Sequence, residues 1–119
     1  MRLVDYTLAK RATLKNLRGG RLSRHEVCDA HPELLRAARN VGEAAPDPCP
    51  VCTEKGLVFV TYVFGDDLRQ DSGRVWPRAR LADLHRSLDE FACYVVEVCT
   101  DCAWNHLVQR YLLGRQHAG

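Results

Sequence analysis

Two tight cysteine pairs, Cys49-Pro-Val-Cys52 and Cys99-Thr-Asp-Cys102, constrain this chain more than any other feature. A C-x-x-C turn brings two sulfurs to one side of a loop, and two such turns supply the four corners of a tetrahedral zinc site. The pairs must then meet in space, although 46 residues separate Cys52 from Cys99. Structural zinc contributes on the order of 10 kcal/mol or more of apparent free energy, coupled to folding. The expected cofactor is therefore one structural Zn²⁺ held by Cys49, Cys52, Cys99 and Cys102.

Six cysteines in 119 residues also invite a disulfide reading. The N-terminus, Met1-Arg2-Leu3-Val4-Asp5, carries charge early and no long apolar run follows it. No signal peptide is visible and no stretch approaches the length of a membrane span. A cytoplasmic chain is expected, where thiols stay reduced and paired C-x-x-C sequences favour metal over disulfides. Cys28 and Cys93 each read as small buried apolar residues. His25 and Cys28 form an H-x-x-C spacing, but His31 and His106 complete no convincing second four-ligand site.

The segments flanking the pairs support the metal independently. Leu57–Phe64 is an apolar, β-branched and aromatic run that reads as a strand, and Phe91–Cys99 reads as a second. Antiparallel pairing sets the start of one beside the end of the other, which brings both cysteine pairs to one end of the ribbon. Leu107–Leu113 is read as a third strand, against a short helix capped by Asn105. The insertion Asp66–Glu90 falls at the far end. Within it Pro77 opens a helix near residues 77–88, with Leu81, Leu84 and Leu88 on one face. Such ribbons usually separate their pairs by about 15–20 residues; the inserted helix accounts for the excess.

Residues 1–43 read as a basic helical segment. Asp5 is the expected N-cap, and Leu3, Tyr6, Leu14 and Leu17 share a face that Lys10 interrupts. Gly19-Gly20 ends this helix. Ser23-Arg24-His25-Glu26 is a capping-box pattern, and Pro32 opens a further helix with Leu34, Leu35, Ala38 and Val41 as its stripe. The last two helices resemble a helix-turn-helix in outline. Ala44-Ala45-Pro46-Asp47-Pro48 reads as a stiff linker, the boundary between residues 1–43 and a zinc-ribbon-like module at 44–119. The expected class is α+β: the helical segment followed by a zinc-ribbon hairpin in a three-stranded antiparallel sheet with an inserted helix.

The net charge of +2 hides an asymmetry. Residues 1–40 carry nine Arg/Lys against four Asp/Glu, and residues 41–119 carry eight against eleven. The basic half either meets nucleic acid, with Arg11, Lys15, Arg18, Arg21, Arg36 and Arg39 as candidate contacts, or lies against its own acidic partner half. Catalysis finds little support. Four thiolates close the coordination shell, and no G-x-S-x-G, H-E-x-x-H or phosphate-cradling glycine loop occurs. No small-molecule substrate is evident.

The segments Arg21 to Arg39, Cys49–Cys52, Thr61-Tyr-Val-Phe-Gly-Asp66, and Val95-Val-Glu-Val-Cys99 through Trp104-Asn-His-Leu107 resemble a small actinobacterial family of unknown function. The resemblance covers nearly the whole chain and implies a cytoplasmic bacterial protein, with no activity attached. Zinc ribbons in general often belong to transcription and translation machinery, an analogy confined to the metal module. The expected role is a non-enzymatic accessory or regulatory module for RNA polymerase, the ribosome or nucleic acid. Two rivals are a protein–protein adaptor using Phe64, Trp76 and Trp104, and a rubredoxin-like iron electron carrier. The chain has Thr53 and Ala103 where that last family places glycine after each pair, which argues against iron.

Overall fold

The computed structural model describes residues 2–117. In chain order its elements are β1 (Leu3–Asp5), α1 (Thr7–Arg18), α2 (Arg24–Val27), α3 (Pro32–Val41), β2 (Glu43–Pro48), β3 (Gly56–Phe64), β4 (Arg74–Val75), α4 (Arg78–Ser87), β5 (Phe91–Val98) and β6 (Asn105–Leu113). Helices and strands are mixed, and the six strands of the described residues form one antiparallel sheet in the order β1-β6-β5-β3-β2, with β4 beside β3.

The β-branched and aromatic run of β3 makes it the centre of that sheet, because such side chains pack well on a pleated surface. It pairs with β5 from Val58↔Val98 to Phe64↔Ala92. The start of β3 thus lies beside the end of β5, the relation on which the metal argument depends. On the other side of β5, β6 follows directly from the second cysteine pair, so Leu107–Leu113 is a strand as expected.

Side chains alternate between faces along a strand, and the two faces receive different helices. Val63, Phe91, Cys93 and Val95 pack under Leu81 and Leu84 of α4. Val60 and Val98, on the opposite face, pack against Ala38, with Leu34 and Leu35 of α3 around them. A third cluster gathers Leu14 of α1, Val27 of α2, Leu57 and Trp104 around Cys49 and Cys99. The N-terminal helices therefore dock on the cysteine end of the sheet. Cys93 is fully buried, the small apolar packing residue that the sequence implied.

Three expectations need correction. The sheet has six strands rather than three. The N-terminal segment is not helical from its start: Leu3–Asp5 is an edge strand paired with Tyr111, Arg110 and Gln109 of β6. Three exposed residues leave no periodicity to read, and backbone pairing alone places them. The N-cap of α1 is Tyr6 rather than Asp5, although Asp5 Oδ1 accepts from the Thr7 amide at 2.7 Å. Finally, Ala44–Pro48 is no linker but part of β2, whose Glu43 and Ala44 pair with Phe59 and Val58 before the register shifts toward Pro48↔Gly56. Proline is tolerated in a sheet only at an edge or an irregularity, and β2 is both. Its prolines disguised a strand as a spacer.

Candidate metal centre

Each cysteine pair sits in the same local turn. The Thr53 amide donates to the Cys49 carbonyl at 3.0 Å, and the Ala103 amide donates to the Cys99 carbonyl at 3.1 Å. Both residues after the pairs adopt left-handed backbone, Thr53 with φ 63° and Ala103 with φ 70°. Glycine is the usual occupant of such a position because any Cβ is strained there. The chain thus completes both turns without glycine.

Amides also point at sulfur. Val51 N–H donates to Cys49 Sγ at 3.4 Å and Cys102 N–H to Cys99 Sγ at 3.5 Å. Such contacts orient a thiolate ligand and stabilise its charge.

The two turns meet as the strand pairing requires. Cys49 Sγ lies 3.6 Å from Cys102 Sγ, Cys52 Sγ lies 3.6 Å from Cys99 Sγ, and all four sulfurs fall within 4.8 Å of one another. With metal–sulfur bonds of about 2.3 Å, a tetrahedron places its sulfurs about 3.8 Å apart. The donor set fits a metal ion. Cys49 and Cys99 are fully buried, while Cys52 and Cys102 are half-buried. Four sulfurs fill a tetrahedral shell and suit zinc or iron alike.

The thiols differ in acidity when protein alone surrounds them. Burial pushes Cys49 and Cys99 up, and it pushes Cys102 up to about 11. Cys52 goes the other way, to about 7, chiefly because the Lys55 backbone N–H stabilises its thiolate.

Cys28 is the residue that sequence reasoning misplaced. It is half-buried rather than fully packed, and its Sγ donates toward Cys102 Sγ at 3.7 Å. The H-x-x-C spacing drew attention to His25, but the relevant neighbour lies 74 positions along the chain. His31 is engaged elsewhere, its Nδ1 accepting from the Glu33 amide at 3.1 Å as the cap of α3. His106 stacks on Trp104, ring centroids 5.8 Å apart. Trp104 itself is wholly buried and unavailable as an adaptor surface.

The six candidate basic residues are all exposed. Arg11, Lys15 and Arg18 recur on one side of α1, Arg21 follows the helix with its Nε on Asn16 Oδ1 at 2.9 Å, and Arg36 and Arg39 lie on α3. Arg39 Nη2 reaches the Thr100 carbonyl at 3.4 Å, next to the second cysteine pair. No helix of the described residues is long and apolar enough to cross a membrane.

Comparison with known proteins agrees with the scale of the resemblance. The match to a "Family of unknown function (DUF5318)" runs over residues 1–119. "Uncharacterized protein Rv0049" of Mycobacterium tuberculosis (strain ATCC 25618 / H37Rv) is 45% identical over 111 residues, spanning 93% of this chain and 81% of that protein. "Uncharacterized protein Mb0050" of Mycobacterium bovis (strain ATCC BAA-935 / AF2122/97) shows the same identity and coverage. No solved structure matches. The chain accordingly belongs to the DUF5318 family of unknown function, which has relatives in the mycobacteria, a group of actinobacteria.

Proposed function

We propose that the chain is a non-enzymatic zinc protein in which Cys49, Cys52, Cys99 and Cys102 hold one structural Zn²⁺ in the manner of a zinc ribbon. The observation that carries this reading is the convergence of four sulfurs at one end of the β3–β5 pair. A shell filled by four thiolates leaves no open position for substrate or activated water, which favours a structural metal. Zinc would fasten the two turns and, through Leu14, Val27 and Trp104, the helices packed on them. The rigid unit then presents the basic side of α1 and α3 to nucleic acid, or to the transcription or translation machinery that carries it. Exposure of Arg11, Lys15, Arg18, Arg21, Arg36 and Arg39 supports this, since phosphate contacts need accessible cations.

Elemental analysis of protein purified aerobically tests the metal. The expected result is a colourless protein with one zinc per chain; a coloured, iron-bearing protein would favour electron transfer instead. Salt titration of binding to single- and double-stranded nucleic acid tests the partner. Affinity should fall steeply with added salt, and Arg11→Glu with Lys15→Glu should flatten that slope by roughly two phosphate contacts. Absence of binding even at low salt sinks the nucleic-acid role.

A second reading rests on a different surface. Tyr62, Phe64, Tyr94, Val96 and Leu107 line an open apolar cavity of about 400 Å³ on the sheet, with Phe64 45% exposed. A protein partner seated there would make the chain an adaptor. Capture from the native cell that survives nuclease treatment, and is lost on Phe64→Ser, would favour it.

A further inference from the structure

A fifth thiol stands against the four. Cys28 closes the one-turn helix α2, and its sulfur is as near to Cys102, at 3.7 Å, as the sulfurs of the four-cysteine cluster are to each other. Two hydrogen bonds hold this segment to the second cysteine turn. The Ala30 amide donates to the Ala103 carbonyl at 3.1 Å, and Asn105 Nδ2 donates to Asp29 Oδ1 at 3.0 Å. The proximity is therefore built into the fold.

Accessibility separates Cys28 from an inert packing thiol. Cys93 offers the contrast within the same chain. It is fully buried among apolar side chains. Cys28 is half-buried and reachable.

We propose that Cys28 and Cys102 form a peroxide-responsive pair at the edge of the metal centre, whose oxidation to a disulfide removes one of the four ligands. Hydrogen peroxide is the oxidant. The Cys28 thiolate attacks one peroxide oxygen, the O–O bond breaks, and hydroxide leaves and takes a proton from water or buffer. Cys28 is then a sulfenic acid. The Cys102 thiolate attacks that sulfur, the S–O bond breaks, and a second hydroxide leaves. Two thiolates have each lost one electron and one peroxide has gained two. The sulfurs must approach by about 1.6 Å to reach a bond length of about 2.05 Å. Cys28 is placed to start the sequence because it stands outside the four-cysteine cluster, to which the other half-buried cysteines, Cys52 and Cys102, belong. The consequence for the ion rests on the four-thiolate reading; the pairing of the two sulfurs does not.

The test uses the full-length protein as purified, treated with a few equivalents of hydrogen peroxide. Proteolytic peptides are mapped by mass spectrometry without reduction, and zinc release is followed with a chromogenic chelator. The expected first product joins Cys28 to Cys102 as zinc appears. Cys28→Ser and Cys28→Ala should keep one zinc per chain before treatment and slow its release by about tenfold or more, because ligand thiolates react more slowly than a free thiolate. Release at the wild-type rate in both variants overturns the proposal, as does a first disulfide that joins two other cysteines. Metal content before oxidation reports on the metal reading separately. A zinc-free wild-type protein that still forms the Cys28–Cys102 bond would sink that reading and support the pair.

Discussion

Lys10 reaches from α1 to place its Nζ 2.8 Å from Oε1 of Glu97, a carboxylate near the end of β5 whose side chain is only 5% exposed. The other oxygen of Glu97 accepts from Trp104 Nε1 at 2.9 Å. One buried carboxylate thus joins the N-terminal helix, the central ribbon and the tryptophan beneath the four-cysteine cluster. Removing one member of a buried pair leaves an uncompensated charge, which costs about 3–5 kcal/mol, whereas replacing both is often close to neutral. Lys10→Met should therefore lower stability strongly in urea denaturation. Lys10→Met combined with Glu97→Gln should recover most of the loss, because the glutamine oxygen still accepts from Trp104. Equal losses in the single and double variants would show that the pair does not anchor α1.

That contact also marks where sequence reading reaches its limit. Lys10 breaks the apolar stripe of α1, and periodicity treats a charge in that position as an interruption. Its partner lies 87 residues away, in a strand whose alternation gives no reason to expect a buried carboxylate. The cysteine centre was legible for the opposite reason: two matched short motifs and one antiparallel pairing fix it, and strand patterns in β3 and β5 carry the pairing. Pro46 and Pro48 concealed β2, since edge strands accept prolines that central strands reject. Cys28 was hidden because residue type alone cannot separate a packing thiol from one lying against the four-cysteine cluster.

Zinc uptake should release protons in a number set by the thiols. At pH 8 the metal-free protein holds Cys52, at about 7, mostly as thiolate, while burial keeps Cys49, Cys99 and Cys102 protonated, Cys102 up to about 11. Ligation requires four thiolates, so about three protons leave on binding. The sign follows directly: affinity rises with pH through this range, by about three orders of magnitude per unit at pH 8. Calorimetry in buffers of different ionisation enthalpy measures the number. Release of one proton or fewer would mean that fewer sulfurs bind, or that the thiols are already ionised.

Gly114 ends β6 with φ +122°, and a Cβ there would stand 2.3 Å from the Asp89 carbonyl oxygen. Its amide donates to His85 Nδ1 at 2.9 Å, tying the strand end to α4. Neither the backbone angle nor the space admits a side chain. Gly114→Ala should cost about 2–3 kcal/mol from strain and overpacking. Because this site lies at the end of the sheet away from the cysteines, zinc content should stay at the wild-type level. Loss of metal along with stability would show that the two ends unfold together.

The left-handed residues after the cysteine pairs give a prediction of opposite sign. Thr53 has φ 63° and Ala103 φ 70°, and each amide closes its turn on a cysteine carbonyl. For L-residues this region costs roughly 1–2 kcal/mol, a penalty that glycine escapes, although glycine also loses more entropy on folding. Thr53 should show the larger benefit, because a β-branched side chain fits that region worst and its position is exposed, with little packing to lose. Thr53→Gly is expected to stabilise by about 0.5–1 kcal/mol. Ala103→Gly should be closer to neutral, since its methyl group lies in a half-buried turn against the α2–α3 connection. Thermal unfolding of the zinc-loaded variants, compared with chelator-treated samples, measures both. If Thr53→Gly lowers the midpoint while zinc content is unchanged, the hydroxyl contact from Thr53 Oγ1 to the Cys52 carbonyl at 2.6 Å outweighs the backbone strain.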